Sequence, residues 1–303
     1  MLLFVEQTLN GLQYSALLFL LSAGLTLVFG IMNVINLTHG SFYMVGAFCA
    51  AGAAAATGSF LAAIVAAVLG AGAYGLLVER LVVRHLYRRD HLDQVLATLG
   101  LVLFTNELVT VLFGRSPPFM DIPPALAGSV QVLPGLAYPL MRLAFIGAGV
   151  AVAVGLWLLI SRTRVGMLVR AGADDREMVD ALGVDVKRLY MLVLVLGALL
   201  CGFAGVMSAP LLAVQIGMGE RILITAFVVI VIGGVGSVRG ALLGSLVIGM
   251  SDAFARAYIP SLLSQAMPPQ LSDPLAASLI SASAYILMAL VLLLRPLGLV
   301  GRR

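Results

Sequence analysis

The chain has 303 residues, of which 61% are hydrophobic and 11% are charged, and its mean hydropathy is +1.10. Soluble domains contain about 45–50% apolar and about 25% charged residues, so this composition excludes an ordinary soluble protein. The formal charge of +4 does not indicate nucleic-acid binding, because the basic residues are scattered among the loops. We predict an all-α polytopic membrane protein with one integral-membrane domain over residues 1–303.

The apolar segments predict about eight transmembrane helices together with short or broken half-helices. A spanning helix needs about 20 mostly apolar residues. The predicted spans are 6–29, 40–57, 60–81, 94–113, 138–160, 189–214, 241–258 and 275–294, with a shorter tilted or broken piece at 221–232. Proline-containing stretches at 114–137 and 259–274 predict loops on the outer side.

The basic residues predict the orientation of the chain. Thirteen of the 18 Lys and Arg residues fall into three clusters, at 80–89, at 162–188 and at 295–303. By the positive-inside rule all three clusters lie in the cytoplasm, which also holds the C-terminus. The first twelve residues contain no Lys or Arg, and three crossings before the first cluster place the N-terminus outside, in the periplasm.

A polar stretch interrupts the apolar sequence between the first two spans. Polar side chains at membrane depth are costly when they face lipid. Glycines near both ends predict an unwound connection or the start of a half-helix, which Thr38 or Ser41 could cap. We predict a lining for a polar solute path, with an ordinary interfacial turn as the alternative; for the histidine alone, a structural role is favoured. The predicted pathway residues are Asn33, Asn36, Thr38, His39 and Ser41.

A glycine-rich stretch at 233–244 places glycines at 236, 240 and 244, which allows helix backbones to approach closely. The phosphate-binding pattern G-x-x-x-x-G-K-[ST] is absent, and Lys187 is the only lysine of the chain. The pattern therefore favours helix packing or a hinge over phosphate binding.

Residues 162–188 carry 11 of the 32 charged side chains. Within this loop, 173–183 predicts a short helix with Asp174 as its N-cap, Glu177 three residues later as in a capping box, and Gly183 as its stop. Met178, Ala181 and Leu182 share one side of that helix. Two turns of helix are not stable alone in water, so we expect packing against the membrane domain or a partner.

The remaining titratable residues do not form a convincing catalytic or metal site. His85, Asp90, His91 and Asp93 lie beside four arginines, which disfavours a bound cation, and we predict no metal, no cofactor and no enzymatic activity. Isolated acids such as Glu107 and Asp252 normally face the interior of a helix bundle. Together with His39 they support the alternative of an ion-coupled secondary carrier.

At these features the chain resembles the permease subunits of bacterial ABC importers for branched-chain amino acids, specifically the LivH-type member of the permease pair. Similarity extends over essentially the whole length. It is carried by GLTLVFGIMNVINLTHGSFYMVGAF (24–48), TRVGMLVRAGADDREMVDALGVDVKRL (163–189), GGVGSVRGALLGSLVIG (233–249) and RPLGLVGRR (295–303).

The resemblance implies a subunit of the bacterial inner membrane that imports hydrophobic amino acids with ATP hydrolysed by other chains. Its implied partners are a second, LivM-like permease, two cytoplasmic ATPase subunits and a periplasmic solute-binding protein. The resemblance makes the helix at 173–183 a coupling helix that seats in the ATPase. The family also contains permeases for urea, short amides and aromatic acids, and the sequence leaves these alternatives open. The implied coupling residues are Asp174, Asp175, Glu177, Met178, Ala181, Leu182 and Gly183.

Overall fold

A computed structural model describes residues 1–87, 89–114 and 118–300 of the chain. Arg88, Arg302 and Arg303, which belong to the predicted basic clusters, lie outside the described residues.

Eight helices in the described residues are long and apolar enough to cross a membrane. They confirm the prediction of an all-α polytopic protein. These helices are α1 (Leu2–Met32), α2 (His39–Thr57), α3 (Phe60–Val78), α5 (His91–Phe113), α6 (Leu140–Arg162), α9 (Val186–Ser208), α11 (Val238–Ala266) and α12 (Pro269–Leu294), with α3 continued by a π-helical turn (Glu79–Val83) and by α4 (Arg84–Leu86).

Three further α-helices lie in the described part of the chain. The short piece predicted at 221–232 is α10 (Met218–Gly233), which has 16 residues and is too short for an ordinary span. The charged loop contains α7 (Arg164–Asp174) and α8 (Arg176–Ala181).

The prediction of a loop at 259–274 is wrong. α11 runs to Ala266 and α12 begins at Pro269, so only two residues are non-helical between them. Pro260 and Pro274 lie inside these helices. Proline is tolerated in membrane helices because neighbouring groups bond the backbone carbonyl that loses its N–H partner. The rule that proline marks a turn, which holds for soluble proteins, therefore misplaced the loop.

The predicted loop at 114–137 contains no membrane helix in its described part. A 3₁₀ turn (Pro124–Leu126) precedes an antiparallel hairpin of β1 (Ser129–Leu133) and β2 (Leu136–Pro139), which the sequence did not predict. The hairpin is tied to α1, because Tyr138 Oη donates a hydrogen bond of 3.1 Å to Asn10 Oδ1. Arg142 Nη1 donates to the same oxygen at 2.7 Å.

Close backbone contacts between glycines hold the centre of the bundle together. α1 packs against α9 and α11, and α2 and α3 pack against α9. A Cβ atom added to Gly46 of α2 would lie 2.5 Å from the Cα of Gly202 of α9, and one added to Gly24 of α1 would lie 2.8 Å from the Cα of Gly197. Small residues allow this approach where lipid supplies no hydrophobic force between helices.

The described parts of the three basic clusters lie at one end of the bundle. The rings of Tyr87 and Tyr190 are 5.0 Å apart, which joins the first cluster to the second. The last described residues reach the same end, because Leu299 N–H donates to Ile232 O at 2.8 Å and Val300 N–H donates to Gly233 O at 3.1 Å. We call this end of the bundle the basic end. The opposite end, which carries the hairpin, is called the far end.

The glycine contacts generate a stability prediction. Gly46→Ala should destabilise the folded chain by about 1–3 kcal/mol, because the new methyl group meets the backbone of α9. A thermal unfolding scan in detergent should show a melting temperature several degrees lower. The matched control is Gly147→Ala on the exposed face of α6, where nothing lies within 4 Å of the added Cβ. Equal melting temperatures for the two variants would contradict the packing described here.

Candidate functional site

The connection between α1 and α2 is unwound and returns to the middle of the bundle. α1 ends in Asn33, which has a φ of 49° and donates its N–H to Phe29 O at 3.0 Å. α2 then begins at His39, whose Nε2 lies 3.1 Å from Leu21 O. Leu21 precedes the end of α1 by 11 residues, or about 16 Å along the helix. α2 therefore starts at mid-depth.

The predicted pathway residues share this connection, but only Asn33 is exposed. The side chains of Asn36, Thr38 and His39 are fully buried, and Ser41 is 3% exposed. Solvent does not reach these four in this conformation. The structure therefore supports a structural role for them more directly than a lining, and their part in transport stays a prediction.

Local hydrogen bonds explain why this segment is ordered. Asn36 Oδ1 accepts the N–H of Thr38 at 3.0 Å, which closes a turn. Thr38 occupies the N-cap position of α2 without a side-chain cap, contrary to the expected capping role, because its hydroxyl donates to Thr98 O on α5 at 3.3 Å. His39 Nε2 also lies 3.1 Å from Cys201 Sγ, so the ring joins α1, α2 and α9.

A second unwound segment, 209–217, leads from α9 to α10 and also returns to mid-depth. The backbones of Gly40 and Gly219 touch there, since a Cβ atom on either would meet the carbonyl of the other. α2 and α10 thus begin side by side and run toward opposite ends of the bundle. Unwound backbone at membrane depth occurs only where protein or water covers it. Half-helices that begin near the midplane are typical of transporters.

Beside this junction lies a polar surface that we call the α5–α10 polar face. It is centred on the contact between Asn106 and Glu220, and Glu107 and Arg221 are their neighbours in the chain. Asn106 Nδ2 donates to Glu220 Oε1 at 2.5 Å, and the other two side chains are exposed. A charged side chain at the centre of a membrane helix costs about 2.5–3.5 kcal/mol on insertion scales. Lipid therefore does not cover this face, and water or another subunit must.

Contacts across the bundle fix the depth of the polar face. Thr105 Oγ1, next to Asn106, lies 2.5 Å from Tyr74 Oη. Tyr74 is near the centre of the span that runs from Phe60 to Leu86. The sequence analysis singled out Glu107 and assigned no role to Glu220 or Arg221. The signal that was missed is a charged pair in the first turn of a helix too short to span.

The charged loop forms two helices, α7 and α8, where one was predicted. The N-cap of α8 is Asp175. α7 ends at Asp174, so the prediction of Asp174 as the N-cap is wrong. Asp175 Oδ1 accepts the N–H groups of Glu177 and Met178, each at 3.0 Å. Because the helix starts one residue later than predicted, Glu177 is too close to its cap to complete a capping box.

The other end of α8 is closed by Gly183, as predicted. Gly183 has a φ of 84°; its N–H bonds Asp180 O at 2.9 Å, and Val184 N–H bonds Val179 O at 3.3 Å. This is the Schellman arrangement. Val179 is buried, whereas Met178 and Leu182 are 58% and 76% exposed. α8 therefore packs on its own chain through one side and presents apolar side chains outward on another.

A cleft of about 500 Å³ lies between α8 and the end of α1. Its lining brings one predicted pathway residue, Asn33, together with three predicted coupling residues, which the sequence had treated as separate sites. The lining includes Gly30, Asn33, Asp174, Asp175, Glu177 and Gly236.

A buried carboxylate at the basic end was not predicted. Glu79 is fully buried where α3 becomes π-helical, and its Oε1 accepts the hydroxyl of Tyr87 at 2.8 Å. Arg84 Nε lies 3.5 Å from the same oxygen. Burial, followed by the nearby Glu79, raises the pKa of Tyr87, so this hydroxyl keeps its proton and its donor role.

The residues that could serve ion coupling are not assembled into one site. Asp252 forms a bidentate ion pair with Arg256, at 2.7 and 2.9 Å, as their spacing predicts. His39 is buried and Glu107 is exposed. Among the described residues, no group of three or more His, Cys, Asp or Glu side chains is placed to hold a metal ion.

Comparison with known proteins gives one family. The family model described as "Branched-chain amino acid transport system / permease component" matches residues 7–294. The permease protein BraD of the high-affinity branched-chain amino acid transport system of Pseudomonas aeruginosa is 31% identical, over 99% of this chain and 96% of that protein. The corresponding LivH of Escherichia coli K12 is 28% identical with the same coverage.

One solved structure, PsaBC from Streptococcus pneumoniae in complex with Fab, covers 93% of this chain and 90% of its own at 13% identity. Its TM-score of 0.46 is too low to support an argument about this chain.

The corrected cap generates a prediction about α8. Asp175→Ala should remove about 0.5–2 kcal/mol of local stability, because two backbone N–H groups lose their acceptor. Hydrogen–deuterium exchange of residues 177–182 should become faster. Asp174→Ala is the matched control, since its neighbour supplies the cap, and it should leave exchange there unchanged. Faster exchange in the control alone would contradict the assignment.

Proposed function

The chain belongs to the family of branched-chain amino acid permease components, and on that premise we propose that it is the membrane-spanning permease subunit of a binding-protein-dependent ABC importer. It carries branched-chain amino acids into the cell with ATP that partner subunits hydrolyse. The observation that carries the proposal is α8, a short capped helix that presents two apolar side chains at the basic end of the bundle.

α8 serves as the coupling helix. Met178 and Leu182 are exposed although they are apolar, and they stand one turn apart on the same face. A partner groove that covers both would bury them as hot-spot contacts. Asp175 and Gly183 fix the two ends of the helix, which keeps the face rigid for this contact.

The partners are a second, LivM-like permease, two cytoplasmic ATPase subunits and a periplasmic binding protein. The positive-inside rule puts the basic end in the cytoplasm, with the ATPases and the C-terminus. The far end, with the N-terminus and the hairpin, then faces the periplasm and the binding protein. This orientation brings α8 to the side where ATP is available.

The solute passes along the α5–α10 polar face, between this chain and the second permease. Charged side chains at mid-depth need a wet or protein-covered surface, and this face supplies them beside two unwound segments. The predicted pathway residues Asn36, Thr38, His39 and Ser41 lie behind it and support the half-helix junction. Asn33 lies at the cytoplasmic opening, in the cleft beside α8.

The same architecture would suit an importer of urea, short amides or aromatic acids, and the relatives named above favour branched-chain amino acids. An ion-coupled secondary carrier is not favoured, because the family consists of permease components and Asp252 is engaged by Arg256.

The proposed coupling role predicts the effect of two substitutions. Met178→Asp and Leu182→Asp should each reduce co-purification of the ATPase subunits and uptake by at least about tenfold, because a carboxylate would enter an apolar contact. Lys187→Asp, at an exposed position outside α8, is the control and should retain the complex. Wild-type uptake in both α8 variants, with the ATPases still bound, would rule out α8 as the coupling helix.

The proposed substrate predicts what the partner binding protein recognises. The binding protein encoded beside this chain should bind leucine in a calorimetric titration and should not bind urea or benzoate. Binding of urea or benzoate instead would leave the importer assignment in place and replace the substrate.

A further inference from the structure

The α5–α10 polar face offers both signs of charge at the middle of the membrane. From this geometry, and on the premise of the importer function proposed above, we infer that the face is a transit site for the charged end of a zwitterionic amino acid, with Glu220 receiving the ammonium group and Arg221 the carboxylate.

The carboxylate of Glu220 is oriented by a hydrogen bond from Asn106. Asn106 Nδ2 donates to Oε1 at 2.5 Å, and among the described residues no other side chain bonds this carboxylate. An amide that occupies one oxygen orients the group and leaves the second oxygen to accept from an ammonium group. Such charge-assisted hydrogen bonds are stronger than neutral ones.

Arg221 is also available. It is exposed, and no carboxylate of the described chain forms an ion pair with it. Glu220 and Arg221 form no ion pair with each other, so neither charge is neutralised by its neighbour in the chain. A ligand with one positive and one negative group, joined by a single carbon, can contact both.

The surroundings suit the remainder of an aliphatic amino acid. Ile224 stands one turn after Glu220 and is 53% exposed, and Leu212 of the unwound segment 209–217 is 48% exposed. Ile224 therefore offers apolar contact beside Glu220. Urea carries no charge and benzoate carries only a negative one, so neither complements both groups.

The polar face therefore discriminates between the substrate classes that the family leaves open. The competing explanation is that these charges pair with the second permease and have no contact with the solute.

The test uses the complete complex, purified with the second permease, the ATPases and the binding protein encoded beside it, and placed in liposomes. Radiolabelled leucine, delivered by the binding protein, is the probe. Glu220→Gln and Arg221→Gln should each assemble and lower the uptake rate at least about tenfold, as expected for loss of a hydrogen bond to a charged group. Glu220→Asp, which keeps the charge, should restore part of the rate.

Arg239→Gln is the matched control, because it removes an exposed arginine at the basic end, away from the polar face. It should transport at the wild-type rate. Wild-type rates in Glu220→Gln and Arg221→Gln would overturn the transit site and leave the importer function standing. Loss of the second permease on purification of either variant would overturn it in favour of a subunit contact. Failure of the wild-type complex to import leucine would instead refute the proposed function.

Discussion

The bilayer offers the backbone no hydrogen-bond partners, and this constraint governs the rest of the structure. The long helices form their backbone hydrogen bonds internally, but segments 33–38 and 209–217 are not helical although they lie at membrane depth. The first is stabilised by Asn36 and by the hydroxyl of Thr38 on α5. These buried polar groups hold the start of α2 near the midplane, beside the proposed solute path.

The spans could be predicted from the sequence because hydropathy reports directly on the same constraint. That α10 is too short for an ordinary span was also predicted. For the polar stretch around Asn33 the sequence left open an unwound connection, the start of a half-helix and an ordinary turn. The loop at 259–274 did not follow, because proline has a different meaning in lipid than in water. The hairpin of β1 and β2 lay in a stretch whose prolines predicted only a loop.

The candidate site was harder to predict because burial decides which polar residues a solute can meet. The side chains of Asn36, Thr38 and His39 are polar and buried. Those of Asn106 and Glu220 are also polar, but Asn106 is partly exposed and Glu220 is exposed. Sequence order conceals this difference, since it depends on how α2, α5 and α10 are arranged in space. The cap of α8 was missed by a single residue, because Asp174 and Asp175 offer the same chemistry to the chain.

The glycine contacts of α9 have a consequence for movement. Where Gly24 meets Gly197 and Gly46 meets Gly202, backbone lies on backbone with no side chain between them. If one helix slid along the other by one residue, a Cβ atom would enter that space. The backbone atoms that it would meet cannot move aside as a side chain can. We therefore expect α1, α2 and α9 to move together. α5, α6 and α12 are the least buried of the long helices, so we expect any movement that opens a passage to involve them.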